Sequence, residues 1–486
     1  LNSIQDRLFN SGYKSVIGLE VHVQLNTASK IFSSDPNDFG AAPNTNVSVI
    51  SLGHPGTLPV LNAAVLEKAI KIGLACGCSI TKENHFARKS YFYPDLPKGY
   101  QTTQDKTPIC VGGTVPLIGE NIEKQFAQLH HIHLEEDAGK SIHDDGPATL
   151  IDLNRAGTPL IEIVTEPDMA KAEEAVACLQ ELRRIVRYLN ISGANMENGE
   201  LRCDANISIM PLDATELGKK VEVKNMNSFS NVRKAIDHEI ERQLNLELKG
   251  EEIFVETRTF DPVSGITAGM RFKETMNDYR YFPCPDLVPM VIEESTLTFI
   301  SKAMPTLPSD YRRKFKNDYA MTDYDIQLLT EESETAAYFD QVCQGTLAFK
   351  AAANWINGPI KALLNEANLS IASTELTPER LSGLIDLVES NQVSFSIASQ
   401  RMLPTMLKEP TNAIALATGM NLLMVSNDDE LLTLVKEVLL SLQEKVKEYQ
   451  KGKKGLIGLF MGEVMKKSGG KADPKKLKSI IEKELS

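Results

Sequence analysis

The sequence has no apolar run long enough to cross a bilayer, so no membrane anchor is expected. Its first stretch, LNSIQDRLFNSGYKS, lacks the apolar core of a signal peptide and is poor in arginine. It begins at Leu1 rather than Met, which leaves open a leader trimmed from the front. No C-x-x-C occurs among the seven cysteines; Cys76 and Cys78 form only CGC. A thiolate zinc site or a disulfide framework is therefore not expected, and free thiols fit a reducing compartment. Several nucleotide and hydrolase motifs are absent too. EDAGKS at 136–141 imitates the end of a P-loop, but the position where that frame needs a glycine is Leu134. No G-x-G-x-x-G follows a strand, and no G-x-S-x-G elbow is present.

What is there is an ordinary globular mix. The chain has 486 residues, 42% hydrophobic and 24% charged, enough for about two to four domains. The net charge of −13 is uneven. Residues 443–486 hold twelve lysines against six acidic residues, about +6, which leaves about −19 on the rest. An acidic body with a basic tail suggests a polyanionic partner at one end. A solvated pair of lysine-rich helices would explain the same charges.

Up to about residue 290, strand patterns mix with loops and a few helices. LNAAVLEKAIKIGLACG (61–77) and SNVRKAIDHEIERQLNLEL (230–248) have helical spacing. So does EPDMAKAEEAVACLQELRRIVRYLN, which opens with Pro167 and Asp168 as start signals. From about 294 strand patterns vanish, and Pro305, Pro308, Pro378, Pro404 and Pro410 punctuate helix-sized segments. The expectation is an α+β N-terminal domain followed by two helical domains, with boundaries near 293 and 407.

The strands share a pattern. In YKSVIGLEVHVQLNT (13–27), Ile17, Leu19, Val21, Val23 and Leu25 alternate with Gly18, Glu20, His22 and Gln24. Glu20 and His22 therefore point the same way. Such a face is either wet or looks into a site. LIEIVTEPD sets Glu162 and Glu166 on one parity, and QLHHIHLEEDAGKS carries His131, His133, Glu135 and Asp137 on one parity with Glu136 on the other. GELRCDANISIM sets Arg202, Asp204, Asn206 and Ser208 against an apolar face, and KVEVKNMNSF sets Glu222 and Lys224 against Val221 and Val223. If these strands form one sheet, Glu20, His22, Glu135, Glu136, Asp204 and Glu222 crowd together. So many carboxylates cannot all ionise without compensation: either some stay protonated or divalent cations sit among them. Oxygen donors with one imidazole suit Mg²⁺ or Mn²⁺, and Mg²⁺ brings substrate phosphates. HFARKSYFYPDLPKGYQTTQ (85–104) supplies Arg88, Lys89 and Lys98 around Tyr91, Phe92 and Tyr93, cations for phosphates and rings for a base. An ordinary loop with an aromatic anchor reads the same way. His130, His131 and His133 offer a competing histidine metal cluster, though alternate histidines often sit at a wet surface.

The stretches VIGLEVHVQL, RKSYFYPDLPKGYQ, HLEEDAGKS, DLNRAGTPLIEIV, LRCDANIS, VEVKNMNSF and DYRYFPCPDL resemble the family of the B subunit of the aspartyl/glutamyl-tRNA amidotransferase. So does the ending, from YQKGKKGLIGLFMGEVMKKSGG onward. The likeness runs from about residue 14 to 486 in family order. It implies a mostly antiparallel-sheet cradle domain (1–293), a helical domain (294–407) and a basic helical tail (408–486) that contacts tRNA. It implies an ATP- and Mg²⁺-dependent ligase that phosphorylates the side-chain carboxylate of Glu or Asp carried on tRNA. Ammonia released by the glutaminase (A) subunit then displaces the phosphate, and a small (C) subunit joins the two. Glu20, His22, Glu135 and Glu136 match the family's metal and catalytic motifs, and Asp204 is a further candidate ligand. Asn206, Arg88, Lys89, Tyr91, Tyr93, Lys98 and Lys224 are candidate cofactor contacts, with Arg155 a weaker one. Zinc is not expected. A cytoplasmic setting is expected, with an organellar matrix left open. The rivals are a Mg²⁺-dependent phosphoesterase or nuclease, which would need no ATP, and a non-catalytic tRNA scaffold.

Overall fold

The computed structural model describes residues 4–120, 122–143, 148–272, 279–424, 428–469, 472 and 474–485. The chain divides into two compact units, Leu1–Leu307 and Pro308–Ser486.

The first unit is built on a 13-stranded sheet. Its main strands are β1 (Tyr13–Gln24), β2 (Ala87–Ser90), β3 (Tyr100–Thr103), β4 (Phe126–Glu136) and β5 (Pro159–Thr165). They continue as β6 (Leu201–Pro211), β7 (Val221–Lys224), β8 (Glu256–Asp261), β9 (Ile266–Phe272) and β10 (Phe282–Pro283). Across the sheet the order is β9-β8-β7-β6-β1-β5-β4-β3-β2-β10. Every neighbouring pair on this path is antiparallel except β7 with β8. The mostly antiparallel α+β expectation therefore holds.

The alternation in the sequence sorts the two faces. Ile17, Leu19, Val21 and Val23 are fully buried, while Glu20, His22 and Gln24 remain half-buried. Among the described residues, five helices belong to this unit: α1 (Ile4–Asn10), α2 (Ala63–Ala75), α3 (Ala172–Tyr188), α4 (Phe229–Lys249) and α5 (Glu294–Lys302). Leu179, Leu182 and Val186 of α3 and Ile236 and Ile240 of α4 join the strand residues in one core. Each fully buried aliphatic side chain there contributes roughly 2 kcal/mol of transfer free energy, which fixes the register of the polar face as well.

Helix ends follow local chemistry. Asn62 caps α2 by accepting from the Ala64 amide, and Ser228 caps α4 by accepting from the Asn231 amide. Gly250 closes α4 in the left-handed region at φ 71°. The start signal read at Pro167 and Asp168 is displaced. Asp168 pairs with Lys124 at 2.8 Å, and α3 begins at Ala172. There the Glu174 carboxylate accepts from the Ala170 and Lys171 amides and supplies the cap itself.

The unit boundary lies beyond the expected residue 293. Ile300 of α5 is buried in the core of the sheet unit, so this helix goes with the strands. From Pro308 onward the named elements are all helices. The helix Ala413–Gly419 packs on Pro378–Glu389, while a separate core of Leu431, Val435, Phe460, Val464, Leu477 and Ile481 closes the tail. No helix of the described residues is long and apolar enough to cross a membrane.

Candidate active site

Strand register carries the polar face. β1 sets Glu20 opposite Asp204 of β6 and His22 opposite Glu162 of β5. β5 in turn sets Glu162 opposite His133 of β4, and β6 sets Asn206 opposite Glu222 of β7. Five adjacent strands thus offer carboxylates and imidazoles to one surface.

Two groups form on it. In the first, His22, Glu135 and Glu162 each present a ligand atom within 4.8 Å of the others. His22 Nε2 lies 3.2 Å from Glu162 Oε2 and 3.8 Å from Glu135 Oε1. His133 Nε2 approaches the same two carboxylates at 3.4 and 3.8 Å. Burial alone would lower the His22 pKa, but the hydrogen bond and charge of Glu162, with Glu135, raise it to about 9. Glu162 shows the reciprocal effect. Burial would raise its carboxyl, yet His22, His133 and Lys89 hold it far below the ordinary range.

In the second group, Glu20, Asp204 and Glu222 likewise bring oxygens within 4.8 Å of one another. Asn206 Nδ2 donates to Glu20 at 2.8 Å, and Thr257 Oγ1 donates to Glu222 at 2.8 Å. The Asn206 Oδ1 atom is buried without a hydrogen-bond partner among the described residues. Lys224 Nζ bonds Asp204 and lies 3.0 Å from Glu222.

A cleft of about 380 Å³ opens over this surface, lined by His22, Lys89, Tyr91, Glu135, Asp204 and Lys224 among others. Burial lowers the Lys89 pKa, but Glu135, Tyr281 and Glu162 outweigh it and hold the amine charged. Its ammonium lies 5.1 Å from the Tyr279 ring.

Several expected members stand elsewhere. Adjacent strand residues point to opposite faces, so Glu135 and Glu136 part company, as do Lys89 and Arg88. Glu136 bonds Lys98 and accepts from the Thr102 amide at 2.7 Å. Arg88 bonds Asp286 and covers the Tyr100 ring at 4.2 Å. Glu136, Arg88 and Lys98 instead line a second cavity of about 350 Å³, with Lys30 and His54. They therefore lie apart from His22, Glu135 and Glu162. Tyr93 is 60% exposed and does not line the cleft. Arg155 does line the cleft, while its guanidinium donates to the Ala138 and Gly139 carbonyls at 2.9 and 2.7 Å in the turn after β4. Of the three histidines, only His133 reaches the carboxylates. His131 stacks on His133, and neither His130 nor His131 belongs to a group able to hold an ion among the described residues.

Glu162 was missing from the expected ligand set. The signal was present, since LIEIV places it on one side of an apolar alternation. What sequence lacks is the register that brings it between His22 and His133.

The GatB/GatE catalytic domain model matches residues 15–298, and the GatB domain model matches 337–485. The chain belongs to the GatB/GatE family. Curated relatives agree over nearly their whole length. The B subunit of an aspartyl/glutamyl-tRNA(Asn/Gln) amidotransferase of Chlorobium chlorochromatii is 45% identical over 473 residues, 97% of this chain and 99% of its own. Proteins of the same description from Pelodictyon phaeoclathratiforme and Trichlorobacter lovleyi are 45% and 44% identical, covering 97% and 98% of this chain and 99% of each relative. The family's catalytic-domain match takes in the ten main strands from Ser15 onward, and so the whole acidic face.

Proposed function

We propose that this chain is the kinase and amidation subunit of a tRNA-dependent amidotransferase, acting at the face that joins His22, Glu135 and Glu162 to Glu20, Asp204 and Glu222. The substrate is Glu or Asp esterified to a tRNA that should carry the amide. Its side-chain carboxylate attacks the γ-phosphate of ATP. The acyl phosphate formed then loses phosphate to ammonia, leaving Gln-tRNA or Asn-tRNA and ADP. Ammonia comes from the glutaminase (A) subunit, with a small (C) subunit joining the assembly.

The residues suit a divalent cation. All donors but one are oxygens, and the unpartnered Asn206 Oδ1 sits beside the second group as a spare acceptor. Mg²⁺, when bound, supplies charge that neutralises the phosphates during transfer. His22, Glu135 and Glu162 are the residues that would hold one ion, and Glu20, Asp204 and Glu222 a second. Lys89, partly buried and charged in the same cleft, is placed to meet phosphate oxygens. Arg202, opposite His22 and braced on Asp137 at 2.9 Å, faces the same space. The observation that carries the reading is the pairing of the two ligand groups on consecutive positions of one strand face, Glu20 and His22. A nuclease could use the same two groups, but it would give ATP no role.

The test uses the assembled complex. ATP cleavage should depend on Glu-tRNA or Asp-tRNA, and heavy oxygen placed in the substrate carboxylate should appear in the released phosphate. Label that stays out of the phosphate, or ATP cleavage indifferent to misacylated tRNA, would refute the kinase role.

A further inference from the structure

We infer that Lys224 is a displaceable counter-ion. Its ammonium closes the Glu20–Asp204–Glu222 group until a divalent cation drives it into the cleft, where it meets substrate phosphate. The inference rests on the two-cation reading above and deepens it.

The competition is visible in the contacts. Lys224 Nζ bonds Asp204 and lies 3.0 Å from Glu222, two of the three carboxylates of the group. An ion bound by these oxygens would sit roughly 2 Å from each. It would then be only a few ångströms from Nζ. The two cations would draw on the same two carboxylates at close range, so each weakens the hold of the other and they compete for the group. The other contacts need not change. Asn206 holds Glu20, and Thr257 holds the second oxygen of Glu222. Among the described contacts, these keep the carboxylates aimed, and the lysine's is the contact the ion competes with.

Its position allows the movement. Lys224 is the last residue of β7, and Asn225 after it turns the chain in the left-handed region at φ 66°. Both residues line the cleft shared with His22, Lys89 and Glu135. A four-carbon stem on a strand end reaches into that cleft without disturbing the sheet. The exchange is balanced in charge: the cation takes over neutralising the carboxylates, and the freed ammonium gains an anion in the cleft. Cation and phosphate should then tighten each other's binding, since the two share one lysine.

The test titrates the full-length chain with Mn²⁺ alone, followed by electron paramagnetic resonance, and compares wild type with Lys224→Met. Without its competitor, the second Mn²⁺ should bind roughly tenfold more tightly in the variant, the scale of one lost close charge pair. In wild type, reductive methylation of Lys224 read by mass spectrometry should rise with Mn²⁺, while Lys445 in the tail serves as the unaffected reference. Equal second-site affinity in the two proteins, or labelling of Lys224 that ignores Mn²⁺, overturns the inference and leaves the metal reading standing. Wild type that binds no Mn²⁺ overturns both. Should Lys224→Met fail to fold, the wild-type labelling alone decides.

Discussion

Glu135 and Glu136 are neighbours in sequence and strangers in space, and the difference is testable one residue at a time. Glu162→Gln removes a ligand from the first group, so Mn²⁺ affinity of the full chain should fall about 100-fold, at least the upper effect of disturbing a ligand's support. Glu136→Gln should leave that affinity unchanged. It should instead strip Lys98 of a buried partner, with side chains only 5% and 12% exposed. Stability should drop by about 3 kcal/mol, the cost of leaving one buried charge uncompensated. Mn²⁺ titration and urea unfolding of the two variants separate the roles. Loss of Mn²⁺ binding in Glu136→Gln would return that carboxylate to the metal set. The same pair shows what the sequence could convey. Parity within a strand placed Glu20 with His22 and Asp204 with Asn206, because side chains alternate whatever the strand pairs with. It also set Glu136 apart from Glu135. The parity rule was there to be applied to HLEED, but the motif's density of acid masked it. Glu162 needed the register between β5 and its two neighbours, which no single segment encodes.

At the scale of elements, helices were read within a few residues because their caps and apolar stripes are local. The loop between β1 and α2 was legible only as rich in turns. One buried carboxylate is among the groups that hold it. Asp35 accepts from the Ser51 hydroxyl and from the Ser48 amide at 3.0 Å, with Lys30 Nζ at 4.0 Å. Burial would raise its pKa, but these donors lower it below the ordinary carboxylate value. A depressed carboxyl stabilises the native loop above its unfolded pKa, about 3.9, and that contribution fades as pH falls through the lower folded value. Protection of the loop amides in wild type, corrected for the intrinsic pH dependence of exchange, should therefore fall below about pH 4. In Asp35→Asn the loop should exchange faster at pH 7 and show no added acid dependence. An acid response retained in the variant would assign the effect to another group. The tail helix Ile457–Lys467 poses a second question. Gly458 and Gly462 are exposed, with open space where a Cβ would sit. Packing inside the tail therefore gives no reason for them. Gly458→Ala with Gly462→Ala should stabilise the tail by about 1 kcal/mol each. If the bare backbone is there to approach tRNA, the same change should weaken tRNA binding, measured by filter retention. Unchanged binding would leave these glycines without that role.

For the whole molecule, the charge distribution suits the proposed binding of a large polyanion through the tail. About −19 lies before residue 443 and about +6 after it, in a tail with its own core. An acidic body repels a polyanion at long range except where cations concentrate, and on the proposed function the acidic face would accept an acylated end only once its own carboxylates are neutralised. Two separable contributions follow. On the proposed function the tail would supply non-specific, salt-sensitive attachment, since each phosphate neutralised by a lysine releases counterions, and the sheet unit would supply the chemistry. Removing residues 428–486 should therefore weaken tRNA binding at low salt and flatten the dependence of log K on log salt. The number of Mn²⁺ ions bound should not change, because both ligand groups lie within residues 20–222. Binding measured from about 50 to 200 mM salt covers a range in which several phosphate contacts alter affinity by orders of magnitude. A truncated chain with the full salt slope would show that the tail lysines face solvent, and that cations of the sheet unit or the preceding helices hold the tRNA instead.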